Sequence, residues 1–163
     1  MRIRTLSAAL CLVLMTLGAT VAPATAASST TGSTTPYCRY TITTGSLQCA
    51  STEAKLQSLV SSSVAPLATS YLLGRFYDDI NRTGPYLDIF ASGPCDTNSD
   101  VDWSVANIGA TWNDRVTSFQ GYSACEIRVY ENENYGGATY GAFASTNYVG
   151  DAMNDRTTSM RFY

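Results

Sequence analysis

The sequence predicts an all-β protein: an antiparallel sandwich made of one supersecondary unit used twice, preceded by a small disulfide-stapled hairpin and a helix. Three observations predict it. A polar heptapeptide, Asn113 to Phe119, returns 41 positions later as Asn154 to Met160 with five of seven residues identical. An aromatic segment, Arg75-Phe76-Tyr77-Asp78, returns as Arg128-Val129-Tyr130-Glu131, and in both copies a glycine, Gly84 or Gly137, stands seven residues after the tyrosine. From Tyr71 onward, short β-prone runs are broken by Gly, Asn and Asp, with no strong helical period. A duplicated unit constrains a fold more than any single segment does.

The elements follow in order. Arg2 and Arg4, the apolar run Ala8 to Leu17 and the small residues Ala24-Thr25-Ala26 have the sequence of a signal peptide over residues 1–26. The run is too short for a membrane span and is interrupted by Thr16, Gly18 and Pro23. Cleavage there leaves 137 residues, room for one domain with a core and a small appendage. Residues 27–36 are nearly all Ser, Thr, Gly and Ala, bring too little apolar surface to fold, and read as a disordered leader. Tyr37 to Ile42 and Ser46 to Ala50 flank Thr43-Thr44-Gly45 as the strands of a hairpin. Thr52 caps a helix whose stripe Leu56, Leu59, Val60 and Val64 runs until Pro66, a packing face. This hairpin and helix form an appendage over residues 37–70, and the main domain occupies residues 71–163.

The repeat also carries chemistry. Tyr130-Glu131-Asn132-Glu133-Asn134-Tyr135-Gly136-Gly137 sets an aromatic, four residues, a second aromatic, any residue, then glycine. This resembles the hairpin signature of the βγ-crystallin family, in its bacterial secreted form. In the first copy Tyr77 and Gly84 are in place and Arg82 stands where the second aromatic belongs. Such a hairpin folds over on its aromatic, so Tyr77 and Tyr130 are read as structural. Asn113-Asp114-Arg115-Val116-Thr117-Ser118 and Asn154-Asp155-Arg156-Thr157-Thr158-Ser159 are similar to the family's calcium motif: two Asn or Asp, two variable residues, Ser or Thr, then Ser.

The resemblance implies two Greek-key units and two Ca²⁺ sites. In one, Asn113, Asp114, Arg115, Thr117 and Ser118 supply side-chain and backbone oxygens opposite the hairpin at Glu131 to Glu133. In the other, Asn154, Asp155, Arg156, Thr158 and Ser159 do so opposite Asp78 to Ile80, with water completing each shell. The donor chemistry agrees independently, since Ca²⁺ takes six to eight oxygens and nothing softer is on offer. Asn-Asp and Thr-Ser also make ordinary turns, but two copies beside two such hairpins favour the metal. Arg115 and Arg156 put a cation in each loop, so the expected dissociation constant is on the order of 10⁻⁴ M.

Tyr77 to Asn113 spans about a dozen more residues than Tyr130 to Asn154, which places an insertion near Gly93 to Trp103. Within it Asp96, Asn98, Asp100 and Asp102 alternate as in an EF-hand, but Val101 replaces the required glycine and Asn107 the closing glutamate. A solvated acidic loop tethered by Cys95 is the favoured reading. Four cysteines remain after cleavage; of three possible pairings, Cys38 with Cys49 and Cys95 with Cys125 are favoured over zinc, which lacks any histidine or Cys-x-x-Cys. Trp103 and Trp112 are expected in the core or against a disulfide. Asn81-Arg82-Thr83 is a glycosylation sequon.

Without Arg2 and Arg4 the chain has eight basic and thirteen acidic residues, a charge of minus five, which disfavours nucleic acid and anionic membranes as partners. Histidine-based nucleophilic catalysis is excluded by composition, and the lone lysine, Lys55, lies in the helix, so the expectation is a non-enzyme. The rival reading, a secreted metalloproteinase inhibitor or killer-toxin-like protein of the same fold with an extracellular protease as partner, rests on fold and size alone. Oligomeric state has no signal here.

Overall fold

The computed structural model describes residues 35–62 and 70–163. The signal peptide, most of the leader, Val64 and Pro66 lie outside the described residues. Strands β1 (Tyr37–Thr41) and β2 (Ser46–Ala50) pair antiparallel around the predicted turn, with Cys38 directly opposite Cys49 and bonded to it. Helix α1 (Glu53–Ser62) starts where Thr52 Oγ1 accepts the Lys55 amide, 3.3 Å, meeting one of the orphan donors of a helix start. Of its apolar stripe, Leu56 is buried, Val60 half-buried and Leu59 exposed.

The main domain holds two copies of a four-strand unit. The first is β3 (Tyr71–Tyr77), β4 (Tyr86–Ala91), β5 (Trp103–Val105) and β6 (Ser118–Gly121). The second is β7 (Ile127–Tyr130), β8 (Thr139–Phe143), β9 (Ser145–Thr146) and β10 (Ser159–Phe162). One sheet runs β2-β1-β4-β3-β6-β9 and the other β5-β10-β7-β8. Each unit therefore gives its third strand to the sheet of the other, so neither half has a complete sheet alone. This is a Greek-key sandwich with exchanged strands. Residues 92–102 join β4 to β5 where Ala144 alone joins β8 to β9, which locates the predicted insertion.

Alternation fills the space between the sheets. Leu73, Phe76, Leu87 and Ile89 face Ile127, Val129, Met160 and Phe162, all fully buried, while Arg75, Arg128 and Arg161 point outward. Trp112, immediately before the first polar loop, is fully buried in this core, and Trp103 is half-buried with its indole N–H on the Pro94 carbonyl, 3.3 Å. Cys95 and Cys125 are bonded as expected, which closes a loop of 30 residues and contributes about 3–4 kcal/mol in a chain-entropy account.

Two findings depart from the sequence reading. The sheet is not wholly antiparallel: β1 runs parallel to β4, with Cys38 beside Leu87 and Tyr40 beside Ile89. The appendage is therefore part of the first unit's sheet, and it brings a second core in which Leu56 packs with Tyr77 and Tyr86, flanked by Tyr37, Ala50 and Val60. That core supplies the aromatic contact the first hairpin lacks at Arg82: Tyr77 packs edge-on to Tyr86, where Tyr130 packs edge-on to Tyr135. The leader is also shorter at its end than expected, because Thr35 is 4 % exposed and hydrogen-bonded to the domain. Among the described residues no helix is long and apolar enough to cross a membrane.

Candidate metal centre

Each polar loop is a turn that glycine opens. Gly109 and Gly150 sit at φ +82° and +81°, where a side chain is strained, and their carbonyls accept the amides of Asn113 and Asn154, 3.0 and 2.9 Å. Asp114 and Asp155 then adopt left-handed φ of 58° and 55°, a region that Asn and Asp tolerate better than most residues. The two loops are sewn together at their backbones: Asp114 N–H donates to Thr157 O, 3.1 Å, and Asp155 N–H to Val116 O, 3.3 Å.

The closing serines fasten each loop to the hairpin of its own unit. Ser118 Oγ donates to Asp79 O, 2.6 Å, and accepts the Arg82 amide; Ser159 Oγ donates to Asn132 O, 2.6 Å, and accepts the Tyr135 amide, and both serines are fully buried. The hairpins need their glycines. Gly84 and Gly137 lie at φ +80° and +78°, and a Cβ on Gly137 would meet Asn132 Nδ2 at 2.7 Å.

The structure sorts the predicted ligands into three groups. Asn113 comes together with Asn132, Glu133 and Thr158 around an open cavity of about 570 Å³, also lined by Asn107 and Ala110. A residue of the first loop thus shares a cavity with the second unit's hairpin and with the second loop. Asn107, singled out in the sequence only at the closing position of a failed EF-hand pattern, donates to Glu133 Oε1, 2.6 Å, and holds that carboxylate at the rim. No local pattern could have found that contact.

The second group is already engaged. Ser118 and Ser159 spend their hydroxyls on the hairpin seats. Glu131 is turned away, paired with Arg156 and accepting the Ala138 amide at 3.0 Å, contacts that hold its carboxyl below the usual range, the amide most strongly. Asp78 Oδ2 accepts the Thr35 hydroxyl, 2.8 Å, which in turn accepts from Arg115 Nη1, 2.8 Å. Ile80 is 54 % exposed and its carbonyl accepts the Thr83 hydroxyl. The guanidinium groups expected to weaken each site are tied back to their own loops, Arg115 Nε to Thr111 O and Arg156 Nη1 to Ala152 O, and to the hairpin acids, Arg115 through Thr35 and Arg156 directly.

The third group surrounds the pseudo-symmetric junction. Thr117 Oγ1 donates to Asp155 Oδ1, 3.2 Å, Asp114 Oδ2 accepts the Asn113 amide nitrogen, and Asn154 gives its own to Asp155 Oδ2. Asn154 Oδ1 is left buried with no hydrogen-bond partner among the described residues. Such an acceptor is costly to strand unless something electropositive answers it. Among the described residues no three His, Cys, Asp or Glu side chains cluster as a metal site, so the oxygens on offer are amide, hydroxyl and carbonyl with Glu133 as the acid lining the cavity. That donor set suits a hard cation with flexible geometry and no softer one. In the insertion, Asp96 Oδ1 and Asn98 Oδ1 accept the amides of Asn98 and Asp100, the pattern of a self-satisfied acidic loop.

Exchanged third strands, folded hairpins and paired polar loops define a βγ-crystallin-like Greek-key sandwich. Solved structures aligning with this chain include a βγ-crystallin domain from Clostridium beijerinckii, 26 % identical with a TM-score of 0.43, covering 56 % of this chain and 97 % of that one. A βγ-crystallin domain from Flavobacterium johnsoniae aligns at 21 % identity and a TM-score of 0.40, covering 56 % and 93 %. The N-terminal domain of protein S aligns at 14 % and 0.43, covering 56 % and 94 %. No protein-family model and no curated protein matches the sequence.

Proposed function

We propose that this chain is a secreted calcium-binding protein in which Ca²⁺ ties the two Greek-key units together. The observation that carries the reading is the cavity where Asn113 of the first unit meets Asn132, Glu133 and Thr158 of the second. A hard divalent ion held there would add bonds across the interface between halves that already share strands. The stranded Asn154 Oδ1 supports a second site at the related junction, fed by Thr117 and the Asp79 and Ile80 region. Binding restricted to the folded state stabilises it in proportion to the logarithm of metal over dissociation constant. With one acid at the first site and none free at the second, both are expected to be weak, on the order of 10⁻⁴ M for the better one. Secretion is supported by the order of residues 1–26 and by two formed disulfides, which suit an oxidising compartment.

Calorimetric titration of the mature chain with Ca²⁺, alongside Asn113→Ala and Asn154→Ala, tests this. Two unequal sites are expected, the stronger lost in Asn113→Ala and the weaker in Asn154→Ala. Heat of binding unchanged in both variants would place calcium elsewhere or nowhere.

A further inference from the structure

The duplication allows one half of the molecule to be read as a template for the other on the outer faces of the two sheets. On the first sheet, Arg75 lies opposite Asp88 on β4 and grips it with two hydrogen bonds, Nε to Oδ1 at 2.6 Å and Nη2 to Oδ2 at 2.8 Å. Arg39 on β1 is also opposite Asp88, so two arginines bracket one carboxylate. Each guanidinium lies 3.7 Å from an aromatic ring centroid, that of Tyr86 for Arg75 and of Phe90 for Arg39.

Arg128 is the counterpart of Arg75, and the same spacing that relates the hairpins puts Gly141 where Asp88 stands. The strand opposite bulges there, leaving Gly141 and Ala142 beside Arg128 and no acid in the ladder. The counterpart of Gln120, which opposes Arg75 from β6, is Arg161, directly opposite Arg128 on β10. Two arginines thus face one another across a ladder, an arrangement that is destabilising by itself. Among the described residues neither has an ion pair. Arg161 rests on Tyr135, 4.1 Å from its centroid, and Arg128 lies 5.4 Å from that of Tyr163. One donor of Arg128, Nε, is buried without an acceptor.

A cavity of about 520 Å³ opens beside Arg128 and the Tyr163 ring. Thr97, Asn98 and Ser99 of the insertion offer it hydroxyl and amide groups, while Asp96 and Glu126 stand at its wall. The acids make it unfit for a polyanion. We propose that this face binds a single carboxylate carried on a polyhydroxylated body, a uronic-acid sugar, with the carboxylate over Gly141 and Ala142 beside Arg128, the place that Asp88 holds beside Arg75, and Arg161 adding positive charge from the strand on the far side of Arg128. Bidentate arginine–carboxylate pairing supplies the charge recognition. The Tyr163 ring and the amide and hydroxyl groups of the insertion take the sugar body.

The test uses the mature, disulfide-bonded chain titrated with sodium glucuronate by calorimetry, with glucose and acetate as controls. Glucuronate is expected to bind and to raise the melting temperature, and both controls to bind at least about tenfold more weakly. Arg128→Gln should lower glucuronate affinity by about tenfold or more, and Arg161→Gln by less. Arg161→Gln, which restores the Arg–Gln pairing of the first sheet, should also raise the melting temperature of the ligand-free protein, showing that the variant folds. Weaker binding of an oligogalacturonate than of the monosaccharide is expected from the acids at the wall, and tighter binding of the oligomer overturns the single-carboxylate assignment. No glucuronate binding at millimolar concentration, equal binding of glucose or acetate, or unchanged affinity in both variants overturns the proposal.

Discussion

The two hairpin–loop junctions share a backbone and differ in side chains. Their loops repeat the backbone hydrogen bonds of Asn113 and Asp114 at Asn154 and Asp155, and the serine seats at Asp79 and Asn132. Yet Glu133 in the second unit corresponds to the exposed Ile80 in the first, Tyr135 corresponds to Arg82, and the direct pairing of Glu131 with Arg156 becomes a relay from Arg115 through Thr35 to Asp78. Backbone hydrogen bonds need only small polar residues and glycines at fixed positions, so that frame survives divergence. Cation affinity depends on charge count, and there the halves have parted.

The largest test of that comparison is in the core. Trp112 and Met153 occupy equivalent positions before the two loops, both buried. Trp112→Ala should cost about 3–5 kcal/mol and Met153→Ala about 2–5, with tryptophan the greater, by urea unfolding. A larger loss at Met153 would mean that the loops are not equally supported. The serine seats come next: Ser118→Ala and Ser159→Ala each remove a buried hydroxyl and leave a part-buried backbone amide without its acceptor, and should cost about 1–3 kcal/mol, the two values agreeing within about 0.5. Unequal costs would break the equivalence of the frames.

Charge exchange sharpens the contrast. Glu133→Gln should weaken calcium binding about tenfold at the second-unit cavity, and Ile80→Glu should strengthen the first-unit site by a similar factor, about 1.4 kcal/mol each way, read by calorimetry. The smallest effect is in pH. The Glu131 carboxyl is held low in the folded protein, so its contribution is present above the ordinary glutamate value of about 4.3 and is lost as pH falls through the depressed folded value. Melting temperature should fall less over that acid range in Glu131→Gln than in the parent. Identical acid profiles would show that the pair with Arg156 contributes nothing.

Much of this was legible because it is local. The seven-residue step from tyrosine to glycine, the Asn-Asp-Arg-x-Thr-Ser loops, the stapled hairpin and the Thr52 cap each declare a backbone conformation within a few residues. What was not legible is long-range. Nothing in Tyr37–Thr41 says that its free edge will meet β4 in parallel, because strand composition carries no address for a partner more than 45 residues away. Asn107 reaches Glu133 across 26 positions and resembles any loop asparagine. The loss of the acid at Gly141 was in plain view, but its meaning depends on the register that sets Arg128 against Arg161.

The parallel seat of β1 has a bearing on biogenesis. The chain emerges N-terminus first, so β1 and β2 are made well before β4 exists to receive them. Their turn is tight and their cysteines are only 11 residues apart, which lets the hairpin close on itself and wait as a preformed piece. Its docking then reports that β3 and β4 have been completed, and a chain arrested before Ala91 would leave that piece with its pairing edge bare.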